Sequence, residues 1–233
     1  MDFDNVKFKE DLFFIKGKGD GILSLAKLIE RETNIPVINS SEGIWLAYNR
    51  FLNSSLLRSN GIRVPDFSLN PKEENPPFNS FIVKNIRDRD NYAFNPKTHT
   101  SGKYFKVKDE RAMEEAFGKN AQYSFFYYQK YIPSEFEFKI YGIGENLFYY
   151  KQKPILHEPN KMKTRVPIKP IPKLGEIAHK VMDLFNLEIT SLDFLKSKQN
   201  DFYLTDVNST PNFNYIKNGS QIVGNYLISR AKR

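Results

Sequence analysis

The chain has 233 residues, of which 40% are hydrophobic and 15% are aromatic, enough to bury a substantial core in one large domain or two small ones. It contains no Cys, which excludes disulfides, thiolate nucleophiles and cysteine metal sites. A formal net charge of +8 indicates an anionic partner, and charge alone leaves nucleic acid, a membrane surface and a phosphorylated small molecule as candidates.

The sequence carries no sign of a membrane span or of export. No apolar run approaches the ~20 residues that cross a bilayer. The acidic residues Asp2 and Asp4 depart from the basic start of a signal peptide. We therefore predict a cytoplasmic protein without a membrane partner.

The front of the chain alternates strand and helix patterns. Apolar runs predict strands over 11–16 and 35–39, and apolar residues at helical spacing predict a helix over 22–31. Ser40 offers an N-cap to a second helix that continues through Phe51. This alternation is typical of an α/β layer.

A charged, Pro-rich stretch over 70–79 predicts a linker. We place a domain boundary there, between a small front lobe over 1–70 and a second region over 71–233. Strands are predicted over 81–84, 104–107, 123–131, 137–145 and 147–151, and helices over 109–119, 175–187 and 221–232.

A hairpin near the C-terminus groups three oxygen-bearing side chains. Short apolar runs over 190–195 and 202–207 flank a polar turn. Asp193 lies in the first strand, and strand alternation points Asp206 and Asn208 to the same face of the second. Carboxylate and amide oxygens suit a Mg²⁺ ion that keeps several waters. The alternative is a surface hairpin with solvated Asp side chains.

This hairpin resembles the metal-binding end of an ATP-grasp domain, which has an Asp on one strand, an acidic residue, a spacer and Asn on the next, and then a turn with Pro, here Pro211. The Gly-Ile-Arg-Val-Pro segment over 61–65 resembles a turn of the ribosomal-protein glutamate ligase branch of that superfamily. Asp206, a hydrophobic residue and Asn208 also resemble inositol polyphosphate kinases. The resemblance runs from Asp11 to the C-terminus in the family's order.

The resemblance implies an ATP-grasp fold of the α/β (α+β) class, with nucleotide between two α+β lobes and a truncated N-terminal α/β lobe. It implies ATP and Mg²⁺ as cofactors. Arg50 and Lys84 would contact phosphates, 129–132 would form the hinge against adenine, and Glu137 would take a ribose hydroxyl or orient Lys139. The implied nucleotide contacts are Arg50, Lys84, Gln129, Lys130, Tyr131, Ile132 and Glu137.

The family's catalytic and metal positions also have counterparts here. Lys139 would touch the γ-phosphate or the substrate, and Arg165 or Asn160, from the basic and Pro-rich segment 151–173, would touch the transferred phosphate. The metal ligands would be Asp193, Asp206 and Asn208. The plain alternatives are a solvated Lys84 and a Glu137–Lys139 cross-strand ion pair worth under about 1 kcal/mol.

Three functions follow from the resemblance. The first is a carboxylate–amine ligase acting through an acyl phosphate on an anionic small-molecule or peptide acceptor. The second is a kinase of a hydroxyl on a polyol or inositol phosphate. The third is a degenerate module that binds a nucleotide or another polyanion without catalysis, because 85–103 holds a single Gly where the family has a Gly-rich phosphate loop. Nucleic acid is a less favoured partner, and a homo-oligomer stays open.

Overall fold

The computed structural model describes residues 8–71, 76–84, 86–87, 125–155, 157–158 and 160–232. The predicted strand over 104–107, the predicted helix over 109–119 and most of the Gly-poor stretch 85–103 lie outside these residues. Among the described residues, no helix has the length and apolar character needed to cross a membrane.

The front of the chain forms the predicted alternation of strands and helices. A two-residue strand β1 pairs in parallel with β2, and a helix connects them. Two further helices follow. The elements are β1 (Phe13–Phe14), α1 (Asp20–Glu32), β2 (Val37–Ile38), α2 (Ser41–Tyr48) and α3 (Arg50–Ser59).

The single helix predicted from Ser40 through Phe51 was wrong, because the chain breaks at Asn49. Asn49 has extended backbone angles and caps α3, its side chain accepting a hydrogen bond from the Leu52 N–H at 3.1 Å. The Arg50 N–H then donates to the Ile86 carbonyl at 2.8 Å. Arg50 therefore opens a new helix next to the strand that ends in Lys84.

A three-stranded antiparallel sheet follows, in the order β3-β5-β4. Asn70 and Pro71, which begin the predicted linker, belong to β3 and pair with Phe126 and Phe125. The division into domains at this point stays a prediction. The strands are β3 (Phe67–Pro71), β4 (Phe81–Lys84) and β5 (Phe125–Lys130).

A five-stranded antiparallel sheet has the strand order β10-β9-β6-β7-β8. Its first two strands are the predicted hairpin. The strands are β6 (Glu137–Ile143), β7 (Asn146–Gln152), β8 (Val166–Pro167), β9 (Ile189–Lys196) and β10 (Phe202–Asn208).

One face of this sheet builds the core. The helix α4 (Pro172–Phe185) begins three residues earlier than predicted, because Pro172 is suited to the first helical turn. Its apolar face packs on strand residues such as Ile140 and Leu192. Because side chains alternate across a strand, Lys139 and Asp193 lie on the opposite face. A last helix, α5 (Gly219–Ala231), closes the chain.

Candidate active site

Three neighbouring strands place a cation and two carboxylates in one row. Lys139 in β6 lies opposite Asp193 in β9, which lies opposite Asp206 in β10. The Lys139 ammonium donates to the Asp193 carboxylate at 2.5 Å, and only 11% and 13% of these side chains is exposed. The sheet register therefore brings together a predicted catalytic residue and two predicted metal ligands.

Asp193 is ionised although it is buried. Burial alone would raise the pKa of this carboxyl, but the charges of Lys139 and Lys161 and the hydrogen bond from Lys139 outweigh it, so the pKa lies below its usual value. A carboxylate held in the charged form is suited to bind a cation.

Asp206 and Asn208 complete the oxygen set. The Asp206 side chain has no hydrogen bond or ion pair within the described residues, and its charge lies directly across from Asp193, an arrangement that repels. The Asn208 side-chain oxygen accepts from the Thr210 N–H at 3.0 Å and keeps a second lone pair. A divalent cation would offset the repulsion between the two carboxylates, so these residues fit Mg²⁺.

Within the part of the chain that the structure describes, no group of three or more His, Asp or Glu side chains could hold a metal ion. The predicted set has two carboxylates and one amide, so it needs water or phosphate oxygens to fill the shell. That ligand balance is the one that Mg²⁺ adopts with nucleotides.

Glu137 has different partners from the ones that the sequence indicated. Its carboxylate accepts from Lys161 at 2.9 and 3.2 Å and from the Gln152 side chain, while Lys139 pairs with Asp193. The cross-strand ion pair between Glu137 and Lys139 is therefore absent from the described structure. Burial and the charge of Asp193 raise the pKa of Glu137, against the opposing effect of Lys161 and Lys139.

Sequence analysis missed Lys161. It opens a 3-10 turn, Lys161–Thr164, in the basic segment whose predicted phosphate contacts are Asn160 and Arg165. A run of lysines separated by prolines has no periodicity, so nothing in the sequence singles out the lysine that pairs with Glu137. The buried carboxylate of Glu137 selects it.

Replacing Lys161 by Met should destabilise the protein by about 1–3 kcal/mol at pH 8, because Glu137 would be left as a buried carboxylate without its nearest cation. The cost should shrink at pH 5. A carboxyl with a raised pKa in the folded state costs stability as the pH rises through that pKa, and protonation removes the unpaired charge. Urea unfolding at the two pH values measures this. Lys163→Met, at an exposed neighbour, is the control, and equal losses in both variants at pH 8 would contradict the prediction.

Arg165 is held away from the carboxylate row. Its guanidinium donates to the Gln152 side chain and to the Tyr141 hydroxyl, each at 2.6 Å, and lies 4.2 Å from the Tyr215 ring centre. These contacts fix its orientation, and its charge contributes to the lowered pKa of Asp193.

Lys84 lies in a hydrogen-bonded chain. Its ammonium donates to the Gln129 side chain at 2.8 Å. The Gln129 amide in turn donates to the Tyr127 hydroxyl at 3.4 Å, which is 2.7 Å from the Ser54 hydroxyl. Gln129, predicted as a hinge residue, thus has a buried side chain that orients Lys84.

The hinge residues differ in their positions. The Lys130 ammonium points outward to Asp66 at 3.0 Å, so its side chain takes no part in the site. The Lys130 N–H donates to the Asp66 carbonyl and the Tyr131 N–H to the Ser80 carbonyl. Ile132 is the hinge residue whose N–H has no partner among the described residues.

Most of the predicted residues line a cavity of about 210 Å³ between the three-stranded and the five-stranded sheets, which we call the central cleft; it is formed by described residues. Lys84, from the three-stranded sheet, and Asp193, from the five-stranded sheet, both line this cleft, and so does Lys161. Of the predicted residues, Lys139, Asn160, Arg165, Lys130 and Asn208 are not in its lining. Those that line the central cleft are Arg50, Lys84, Gln129, Tyr131, Ile132, Glu137, Asp193 and Asp206.

No family model matches the chain, and no curated protein matches its sequence. Its structure is similar to solved structures. The macrocyclase MdnC of Microcystis aeruginosa, bound with the precursor peptide MdnA, gives a TM-score of 0.64 at 15% identity over 88% of this chain and 67% of that chain. The D-alanine–D-alanine ligase of Bacillus anthracis, complexed with ATP, gives 0.63 at 13% identity over 90% and 74%.

A third similar structure is the ATP-grasp ligase PsnB, complexed with a minimal precursor, Mg and ADP. It gives a TM-score of 0.60 at 13% identity over 91% of this chain and 68% of that chain. At such identity the likeness concerns the fold and not the activity. It confirms the fold class predicted from the sequence: the chain has the ATP-grasp fold.

Proposed function

We propose that the protein is a Mg-ATP-dependent carboxylate–amine ligase. One observation carries the proposal. The central cleft has Arg50 and Lys84 on one side and the Asp193–Asp206 pair on the other, so cations for phosphates face carboxylates for a metal across one cavity. If these four side chains were only solvated surface groups, nothing would require them to line the same cavity.

Each side of the cleft has a stated role in this proposal. Lys84, oriented by Gln129, and Arg50 bind phosphate oxygens. Asp193, Asp206 and Asn208 would hold Mg²⁺, which supplies positive charge to the phosphates. With Mg²⁺ bound beside Asp193, the Lys139 ammonium would be available to the transferred phosphoryl group, and electrostatics and positioning would supply the catalysis.

The ligase reaction then has two steps. A carboxylate oxygen of the acceptor attacks the γ-phosphorus and releases ADP, which gives an acyl phosphate. An amine next attacks the acyl carbon, loses a proton and displaces phosphate. No residue of the chain becomes a covalent nucleophile.

Ligases among the similar structures support this choice, and two of them, MdnC and PsnB, hold precursors. They favour a peptide as the acceptor. The narrower placement in the ribosomal-protein glutamate ligase branch rests on the sequence resemblance at the 61–65 turn and in the strand and helix before it. The net charge of +8 supports an anionic acceptor, and a cytoplasmic location and a homo-oligomer stay predictions.

A kinase is the second candidate, favoured by Asp206 where the ligases more usually have Glu. A non-catalytic module that binds a polyanion is the third, favoured by the Gly-poor stretch 85–103. Both keep the nucleotide site in the central cleft, so chemistry must separate them.

Trapping with hydroxylamine tests the ligase. With ATP, Mg²⁺ and a library of Glu- and Asp-containing peptides, an acyl phosphate gives a hydroxamate in equal amount to ADP. Hydroxylamine-stable phosphate on a polyol library would indicate the kinase instead. Absence of ADP release with every acceptor, together with retained nucleotide binding, would leave the non-catalytic module.

A further inference from the structure

A second cavity lies next to the central cleft and has a different chemical character. We call it the basic groove. It has a volume of about 570 Å³ and shares Tyr131 and Ser134 with the central cleft. Its lining combines aromatic and proline side chains with two lysines. The lining includes Tyr131, Pro133, Phe136, Phe138, Lys196 and Lys198.

The cations around the basic groove are placed over aromatic rings. The Lys151 and Lys153 ammoniums lie 4.7 and 4.3 Å from the centre of the Phe136 ring, and Lys196 lies 5.7 Å from that of Phe202. A cation–π contact positions a lysine ammonium but leaves its positive charge in place. In the groove's lining the opposing carboxylate is Glu135, which is 76% exposed and 3.5 Å from Lys153. The groove is therefore positive above an apolar floor.

This combination favours an acidic peptide over nucleic acid. Single-stranded nucleic acid gains much of its binding from bases stacked on open ring faces. The Phe136 ring already carries two ammoniums, and the Tyr131 hydroxyl is 3.3 Å from the His157 imidazole. Lysines above the rings instead suit carboxylates, while Pro133 and Phe138 offer contact to apolar side chains.

The basic groove is coupled to the central cleft through one buried residue. The Ser134 hydroxyl donates to the Phe136 carbonyl at 2.7 Å and accepts from the Lys196 N–H at 3.0 Å. Ser134 thus connects the segment that follows the hinge to the end of β9. Lys196 is three residues along β9 from Asp193, about 10 Å at ~3.3 Å per residue, and strand alternation places its side chain on the opposite face of the sheet. A segment in the groove would therefore reach the central cleft past Tyr131 and Ser134, which line both cavities, and would be more than three extended residues from a carboxylate that reacts beside Asp193.

We propose that the basic groove binds an acidic segment of the acceptor peptide, separate in sequence from the carboxylate that reacts. The inference rests on the proposed ligase function and deepens it by naming the partner: a peptide with several carboxylates and an apolar side chain. Recognition at the groove would hold the acceptor while its reacting carboxylate reaches the γ-phosphate.

Fluorescence anisotropy of the full chain tests this. The probe is a fluorescein-labelled octapeptide of seven Glu and one Phe, in dilute buffer with low salt. Lys196→Glu/Lys198→Glu should weaken its binding at least about tenfold, since two attractive charges become repulsive next to the bound carboxylates. Lys169→Glu/Lys173→Glu is the matched control. It changes the net charge equally at exposed positions outside the groove and should weaken binding by less than about threefold.

Equal weakening in both variants would overturn the proposal, because binding would then follow net charge alone. Tighter binding of a labelled oligothymidine than of the peptide, lost in the groove variant, would also overturn it in favour of nucleic acid. A peptide with Gln for Glu should not bind, and binding of it at equal affinity would contradict the charge argument. Melting temperatures confirm that both variants fold.

A separate measurement distinguishes failure of this inference from failure of the ligase proposal. The Mg-ATP-dependent rise in melting temperature should be the same in the groove variant, Lys196→Glu/Lys198→Glu, as in the wild type. Lys196 and Lys198 lie outside the central cleft. Loss of peptide binding with this rise intact supports the groove. A nucleotide response without any peptide binding in the wild type overturns the groove and leaves the nucleotide site standing.

Discussion

Replacing Asp206 by Asn should abolish the response of the protein to Mg-ATP. Nucleotide at 100 times its Kd should stabilise the wild type by about 2.7 kcal/mol, which is a rise of about 5–10 °C in melting temperature for a chain of this size. In the variant the rise should fall below about 1 °C, and ATP turnover should drop about 10²–10³-fold. Differential scanning fluorimetry and ADP release measure the two effects.

The physical reason lies in the carboxylate pair. Asp206 is opposite Asp193 in the sheet register, and its side chain has no ion pair in the described structure that its loss would break. Without ligand the variant should be as stable as the wild type or slightly more so, because one of two repelling charges is gone. With Mg-ATP it lacks a negative ligand for the metal.

Asp183→Asn is the control for this experiment. Asp183 is exposed on α4, so the variant removes one carboxylate without touching the central cleft and should keep the full nucleotide response. If Asp206→Asn kept the full Mg-ATP response, the metal would not bind at the β9–β10 hairpin. A large loss of stability without ligand would show that Asp206 has a structural role instead.

Replacing Lys139 by Met should destabilise the protein more than Lys161→Met or Asp206→Asn. It leaves Asp193 as a buried carboxylate without its 2.5 Å partner, which costs about 3–5 kcal/mol and lowers the melting temperature by about 6–20 °C. A second change, Asp193→Asn, should restore much of the loss because it removes the stranded charge. Urea unfolding of the single and double variants gives the coupling energy.

The pH dependence gives an independent check on Lys139→Met. The lowered pKa of Asp193 in the wild type contributes stability that is present above the unfolded-state pKa and is lost as the pH falls. In the variant Asp193 loses its cation and takes up a proton more readily, so the gap between the two proteins should narrow towards about pH 4.

Lys130→Met is the matched control for this change. It breaks an exposed ion pair with Asp66 and should cost less than about 1 kcal/mol. Similar losses in the two lysine variants, or no recovery in the double variant, would mean that the Lys139–Asp193 pair does not hold the carboxylate as described.

The β9–β10 hairpin shows how much of the site could be predicted. Alternation along β10 puts Asp206 and Asn208 on one face, and this holds for any strand in that position. The pairing of Asp206 with Asp193 depends on a register shift between Leu204 and Asp206. Such an irregularity is set by packing between strands and leaves no pattern in the sequence.

Positions that depend on distant parts of the chain were harder to predict. Asn49 breaks one expected helix into two, although Asn is only a moderate helix breaker, because its side chain caps α3 and Arg50 bonds to Ile86. Lys161 is selected among many lysines by Glu137, which lies 24 residues away in sequence. The partner of Glu137 was wrong for the same reason.

The sequence by itself determined the class of the fold, through its resemblance to ATP-grasp domains, and the strands that carry Lys84, Lys139 and Asp193. Local periodicity and turn residues suffice for these strands, because each depends on a few neighbours in the chain. Only the tertiary structure decided which charges meet. Buried ionisable groups are paired by whichever cation the packing brings within hydrogen-bond reach, so Lys139 pairs with Asp193 and Lys161 with Glu137. That reach is set by sheet register and loop path, which no local pattern encodes.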